Sequence, residues 1–245
     1  MKRLIIGDIH GCYAELQDLL AKAGLSSSDE IIALGDVVDR GPDSPRVLEF
    51  FREQPNARSL RGNHERKHVR SFAGEIRPAV SQRISRWQIG EAGYAAACGF
   101  MDGFDRFVEL PEAILAHGFF EPGVALPDQR ETVVAGTMSG ECYLKRRYDR
   151  VWYELYDGEK PLIVGHRDYL ASGEPLIWKD RVFGIDTGCC YGGALTGILL
   201  PDFRVVSVPS RENHWLKTRK SHAFLMDRSA DVASLAWNQL DHPSA

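Results

Sequence analysis

The feature that most constrains this chain is a short pattern that keeps returning. An apolar run ends at a glycine, and residues able to bind metal stand beside it. Ile31-Ile32-Ala33-Leu34 is followed by Gly35 and then Asp36-Val37-Val38-Asp39-Arg40-Gly41. Leu4-Ile5-Ile6-Gly7-Asp8-Ile9-His10-Gly11 precedes it, and Ala57-Arg58-Ser59-Leu60-Arg61-Gly62-Asn63-His64-Glu65 follows. Each apolar run reads as a buried strand, and the glycine permits a sharp turn at its end. Chemistry in open α/β sheets collects at the carboxyl ends of strands. Two later stretches repeat the theme: Glu112-Ala113-Ile114-Leu115-Ala116 ends at His117-Gly118, and Leu162-Ile163-Val164 ends at Gly165-His166.

The segments between these runs define the class. Glu15 to Leu20 has helical periodicity and is expected to stop near Gly24. Pro42-Asp43-Ser44-Pro45 starts a second helix with Val47, Leu48, Phe50 and Phe51 on its apolar face. With strands at 3–7, 31–34 and 57–61, this β-α-β-α-β order predicts parallel strands with right-handed crossovers. Residues 65–110 are rich in arginine and aromatics and read as a helical insert, with helices at Gln82–Gln88 and Glu91–Ala97, that caps the site. Thr132–Ala135 reads as a short strand. Segments 176–178, 182–186, 195–200 and 204–208 read as antiparallel strands, giving a second sheet drawn largely from the C-terminal half. Residues 210–245 form a C-terminal extension, with an amphipathic helix expected at Val232–Leu240 and a frayed end. The whole, 1–245, is read as one α/β domain.

The polar residues at the strand ends are Asp8, His10, Asp36, Asn63, His117 and His166. Mixed nitrogen and oxygen donors suit manganese, iron or zinc rather than calcium, and the thiolates of a structural zinc site are missing from the set. Six donors exceed one tetrahedral site. They suit two divalent ions, with Asp36 on the middle strand as the bridge. Manganese is the first expectation, with iron, zinc, nickel or magnesium as alternatives. Two such ions about 3.5–4 Å apart serve phosphoester hydrolysis, because they polarise the phosphoryl group and activate water. The leaving oxygen needs a proton, and His64 is placed to give it. Asp39 would hold the tautomer of His64. Arg40 would clamp phosphate oxygens with its planar fork, and Asn63 would join it in contacting substrate. Taken singly, each of these residues is equally a helix cap, a turn former or a solvated charge. Their joint recurrence at strand ends carries the reading.

Gly7-Asp8-Ile9-His10-Gly11, Gly35-Asp36-Val37-Val38-Asp39-Arg40-Gly41 and Gly62-Asn63-His64-Glu65 resemble the signature of the calcineurin-like metallophosphoesterases. The Asp-Arg-Gly ending and the Asn-His-Glu form resemble in particular the phosphoprotein (serine/threonine) phosphatase branch and its bacterial members. The resemblance covers residues 4 to about 200. It implies a β-sandwich of two mixed sheets flanked by helices around a dinuclear centre. Asp8 and His10 would bind one metal, Asp36 would bridge, and Asn63, His117 and His166 would bind the other. Asp39 and His64 would form the acid pair. The resemblance also implies a second phosphate-binding arginine between the late histidines, for which Arg146, Arg147 and Arg150 compete. Two positions depart from the pattern: Phe119 follows His117-Gly118, and Arg167-Asp168-Tyr169 follows His166. Gly184-Ile185-Asp186-Thr187-Gly188-Cys189 and Gly192-Gly193-Ala194-Leu195-Thr196 resemble the end of bacterial phosphatases of this branch, a set that includes dinucleoside-polyphosphate hydrolases and RNA end-healing phosphatases.

Charge and cysteines narrow the setting. The formal net charge of −4 does not advertise a nucleic-acid or membrane surface, although a local basic groove is compatible with it. Five cysteines without a C-x-x-C pair, and no apolar run near 20 residues, point to a reduced cytoplasmic protein with no membrane partner. The N-terminus runs straight into the first motif, with no room for a signal peptide. Cys189 and Cys190 are expected as small buried hydrophobes. The expected activity is a metal-dependent phosphomonoesterase acting on phosphoprotein or a small phosphoester. The alternative is a dinucleoside-polyphosphate hydrolase or nucleic-acid-end phosphatase, and a non-catalytic scaffold is the remote third.

Overall fold

The computed structural model describes residues 1–226. Its elements run β1 (Arg3–Ile6), α1 (Tyr13–Ala23), β2 (Glu30–Ala33), α2 (Ser44–Glu53), β3 (Ala57–Ser59), α3 (Asn63–Phe72), α4 (Val80–Ile89), α5 (Glu91–Asp102), β4 (Phe107–Glu109), β5 (Ile114–Ala116), α6 (Glu131–Val134), α7 (Met138–Arg147), β6 (Leu162–Val164), β7 (Leu176–Trp178), β8 (Val182–Gly184), β9 (Asp186–Thr187), β10 (Ala194–Leu200), β11 (Arg204–Pro209) and α8 (His214–Ser221). Local chemistry sets several boundaries. Gly24, at φ 64°, turns left-handed to end α1. Asp43 caps α2 by accepting the Arg46 N–H at 3.3 Å.

Two mixed sheets pack face to face. The first has the order β11-β10-β1-β2-β3, with β9 paired to β10. Within it β1, β2 and β3 are parallel, while β10 runs antiparallel to both β1 and β11. The second has the order β4-β5-β6-β8-β7. There β5, β6 and β8 are parallel, and β4 and β7 are antiparallel edges. Both sheets therefore carry a parallel core whose carboxyl ends open into one cleft.

The alternation of side chains along each strand builds the layers. Ile5, Ile32, Leu115, Ile163, Phe183 and Ile198 meet between the sheets. Leu4 and Ile6 face the other way, against Leu16 and Leu19 of α1 and Val47 and Phe51 of α2. Leu162 and Val164 pack with Val133, Val134 and Leu144 beneath α6 and α7. Full burial of such side chains stabilises by about 1.5–3 kcal/mol each, which fixes the sheets as a rigid frame for the cleft.

The expected α/β sandwich is the fold observed, with corrections in its parts. Thr132–Ala135 is not a strand: α6 covers it. Val133 and Val134 are both buried on one side, and both N–H groups reach back to the Arg130 carbonyl. A strand would have turned one of the two valines outward. The C-terminal strands do not share one sheet. β7 and β8 join the second sheet, with β8 parallel to β6, while β9, β10 and β11 return to the first. The expected helices at 82–88 and 91–97 lie within α4 and α5. β4, three residues long, is too short to show a period. The helix expected at 232–240 lies outside the described residues.

Candidate metal centre

The glycine in each motif has a steric cause. A Cβ on Gly62 would stand 2.2 Å from Asp36 Oδ1, and one on Gly165 would stand 2.3 Å from Asp8 Oδ1. Only glycine lets the carboxylate of a neighbouring strand pass that close. Residues of the motifs are bent into the left-handed region. His10 (φ 49°), Asp36 (φ 49°), Asp39 (φ 73°), Arg40 (φ 65°) and His166 (φ 69°) all have positive φ without being glycine. Such strain collects at functional sites because the surrounding fold holds it in place.

All six expected donors converge. Ligand atoms of His10, Asp36 and His64 lie within 4.8 Å of one another, and so do those of Asp36, His117 and His166. Asp36 belongs to both groups. Its Oδ1 is 3.4 Å from His117 Nε2, and its Oδ2 is 3.7 Å from His10 Nε2. Asn63 Oδ1 lies 3.1 Å from both His117 Nε2 and His166 Nδ1. Asp8 Oδ2 is 3.8 Å from His10 Nε2, while its Oδ1 accepts the His166 N–H at 2.8 Å.

Three observations show that this set fits divalent cations. His10 Nδ1 donates to the Val38 carbonyl at 2.8 Å and His117 Nδ1 to the Leu34 carbonyl at 3.1 Å. Each bond turns the opposite nitrogen, with its lone pair, toward the cleft, as in metal-binding histidines. The Arg40 guanidinium stands 2.9 Å from His10 Nε2, so positive charge already sits against that nitrogen. The carboxylates also attract positive charge. Burial raises the Asp8 carboxyl well above its ordinary value, and Asp186 and Asp36 raise it further. Burial would lower His117, yet Asp36 and Asp8 outweigh it and push the imidazole up to about 10.

A second network backs the donors. His64 Nδ1 donates to Asp39 Oδ2 at 2.6 Å, and its Nε2 is buried without a hydrogen-bond partner. Burial lowers His64, while Asp36 and Asp39 oppose the shift. That leaves a poised proton carrier whose outer nitrogen faces the cleft region. Asp39 also accepts from His68 Nε2 at 2.8 Å and from the Ser81 hydroxyl at 3.2 Å.

Three partners in this network went unread in the sequence. Glu65 accepts the N–H groups of Asp36, Val37 and Gly62, each at 2.9 Å. It thereby ties the second motif to the third. Its signal was present: a glutamate three residues after the cap position reaches back to the helix start. His68 follows His64 by one helical turn and shares its face. Ser81 gave no signal, since it comes from α4.

Arg146 and Arg147 are exposed on α7, and Arg150 pairs with Glu154 at 3.0 Å. None of the three lines the cleft; Arg167 does. Phe119 is buried, with its ring edge-on to His166 at 5.1 Å, so it backs that histidine. Asp186 accepts the Gly188 N–H at 3.0 Å as a turn former and also borders the cleft. Burial lifts its carboxyl to about 6. Cys189 and Cys190 are buried in the apolar core.

Comparisons with known proteins agree with this geometry. Residues 1–222 match the family model described as calcineurin-like phosphoesterase. The asymmetrical bis(5'-nucleosyl)-tetraphosphatase PrpE of Oceanobacillus iheyensis is 31% identical, over 86% of this chain and 94% of its own. The enzyme of the same name from Bacillus subtilis is 28% identical, over 84% and 93%. A crystal structure of a candidate diadenosine tetraphosphatase aligns with a TM-score of 0.72 at 26% identity, covering 85% of this chain and 93% of that one.

Proposed function

This chain belongs to the calcineurin-like phosphoesterase family, and from that premise we propose that it hydrolyses dinucleoside tetraphosphates asymmetrically. That it is a metal-dependent phosphoester hydrolase follows from the family. The substrate is our reading, and it places the dinucleotide alternative ahead of the phosphoprotein activity first expected. The motifs serve any phosphoester and do not separate the two. Full-length relatives named as tetraphosphatases do favour one.

The observation that carries the reading is the wall of the cleft. The metal centre opens into a cavity of about 510 Å³ bordered by Arg40, Arg66, Lys67, Arg70 and Arg167. These cations stand out in a chain of net charge −4. Arg66 and Arg167 are paired with Glu131 at 3.4 Å and Glu141 at 2.7 Å, pairs that a phosphate chain can replace.

In the proposed mechanism, Asp8, His10 and Asp36 would hold one cation, and Asp36, Asn63, His117 and His166 would hold the other. Two divalent cations, manganese by preference, would supply charge neutralisation of the phosphoryl oxygens and activation of water. Arg40 and Asn63 orient the phosphoryl group. His64 Nε2 gives its proton to the leaving phosphate oxygen, and Asp39 steadies the imidazolium before transfer. Five free cysteines, four of them buried, suit a reducing compartment, and we place the protein in the cytoplasm. Among the described residues no helix is long and apolar enough to cross a membrane.

The test is product analysis. Metal-stripped protein with added Mn²⁺ should convert diadenosine tetraphosphate to equal amounts of ATP and AMP. Two molecules of ADP, or rapid phosphopeptide hydrolysis with the dinucleotide untouched, would overturn the reading.

A further inference from the structure

The cleft continues beyond the metal centre in two directions that differ in chemistry. One runs along α3, past Arg66, Lys67 and Arg70. The other passes Asp186 and opens into a second cavity of about 510 Å³. The two spaces share Asp168, Ala171, Gly188 and Tyr191, so they form one groove with the metal donors between its arms. Among the described residues, none of those lining the second cavity is lysine or arginine. It offers instead one aromatic ring (Tyr191), the Ser172 hydroxyl, one carboxylate (Asp168) and the backbone of a glycine-rich loop.

That loop is built for close approach. Gly188 and Gly192 have φ of +69° and +98°. Asp168 Oδ2 accepts the Gly173 N–H at 3.3 Å beside that loop, and a carboxylate oxygen can take a further donor. A ring for a base, backbone groups for its edge and a carboxylate for a ribose hydroxyl are what a nucleoside needs. The size, within the ~300–1,000 Å³ of small-molecule sites, is adequate. Arg40 sets the distance to the chemistry. Its guanidinium is 2.9 Å from His10 Nε2 and 5.3 Å from the centroid of the Tyr191 ring. One arginine thus spans from the metal donors to the ring, a reach suited to a nucleoside carrying a single phosphate.

A symmetric dinucleotide can be cut unequally only if its halves are held differently. Water plus a dinucleoside tetraphosphate gives a nucleoside triphosphate and a nucleoside monophosphate. The half with three phosphates needs cations, and the half with one does not. We propose that the second cavity, whose described lining holds no lysine or arginine, is the subsite for the nucleoside of the monophosphate product, bound by Tyr191 and Asp168, and that the arm along α3 takes the triphosphate half. This inference rests on the dinucleotide reading above. The unequal cut then follows from unequal charge in the two arms.

The experiment is competition on the full-length, Mn²⁺-loaded protein, with AMP and inorganic tripolyphosphate as inhibitors of diadenosine tetraphosphate hydrolysis. Tyr191→Ala should raise the inhibition constant of AMP about tenfold and that of tripolyphosphate less than twofold. Tyr191→Phe, which keeps the ring, should restore AMP inhibition. Arg70→Ala should show the reverse pattern, weakening tripolyphosphate more than AMP. Equal effects of Tyr191→Ala on both inhibitors, or none on AMP, would overturn the subsite. If the wild-type protein does not cleave the dinucleotide, the functional reading fails by itself. The same competition run against an aryl phosphomonoester still decides the subsite.

Discussion

The two sheets make an instructive pair. Each has three parallel strands with antiparallel neighbours, and each turns its carboxyl ends into the same cleft. The first sheet contributes carboxylates and an amide, Asp8, Asp36 and Asn63, with His10 and the His64–Asp39 pair. Its loops are locked from within, because Glu65 and Asp39 together accept from three backbone N–H groups, two imidazoles and a hydroxyl. The second sheet contributes His117 and His166. Beyond His166 the chain passes through the loop at 167–173, which borders both cavities. In the proposed mechanism, equivalent frames would carry unequal duties: the first sheet would hold charge and move protons, and the second would complete the donor set and shape what enters. A negative centre needs a rigid, hydrogen-bonded support, whereas a specificity wall can be built from loops.

The comparison can be broken most forcefully at Asp36. Asp36→Asn is expected to cost at least about 10²–10³-fold in activity and to remove at least one metal, as read by elemental analysis. His117→Ala should remove only one, since it belongs to a single donor group. Two tightly held metals in Asp36→Asn would refute the bridging role. Next comes His64→Ala, which should lower kcat by about 10²–10⁴-fold while both metals stay bound. Metal loss there would make His64 a ligand and erase its distinction as a proton carrier.

Glu65→Ala tests the locking of the first sheet. It leaves three buried N–H groups unpaired, at about 1–3 kcal/mol each. The midpoint of thermal unfolding should fall, and metal affinity should weaken by about 10–100-fold. An unchanged midpoint would show that the loops are rigid for another reason.

The smallest effect lies on the far side of the first sheet. Glu15 of α1 accepts from His214 Nε2 at 2.7 Å and from the Arg211 N–H at 3.0 Å. Burial would raise its carboxyl, but these two bonds outweigh burial and bring it from the ordinary 4.5 down to about 2. A depressed carboxyl stabilises above its unfolded value and loses that contribution as pH falls. The contribution, up to about 3 kcal/mol, should therefore disappear between pH 4.5 and 2. Glu15→Gln should flatten the pH dependence of stability in that window. A wild-type slope retained in the variant would assign it to other carboxyls.

Much of this centre was legible because its chemistry is local. A strand, a glycine and a donor within five residues can be read from one stretch of sequence, and Asp8, His10, Asp36, Asn63, His117 and His166 do meet in one cleft. The contact between His64 and Asp39 was legible for the same reason, since they sit in two of those stretches. The supporting residues were harder to see. Glu65 and His68 lie on the same helix as His64, but their partners are backbone groups and a carboxylate of another strand. The strand expected at 132–135 failed because β-branched residues favour strands only until the surroundings bury one side of them. The expected phosphate-binding arginine was sought by its position between histidines. In the fold Arg146 and Arg147 point to solvent from α7, and Arg167 borders the cleft.

By itself the sequence determined the fold class, the family and which residues meet in the cleft, because hydrophobic period, turn chemistry and ligand type are properties of neighbouring residues. Only the tertiary structure decided which sheet each late strand joins, how Glu65 and Asp39 lock the loops, and that the basic residues of the groove gather along one arm. Those depend on residues far apart along the chain, such as Asp8 and Gly165, which approach so closely that no Cβ fits between them. A contact of that kind is set by the packing of two sheets, and no local stretch of sequence contains it.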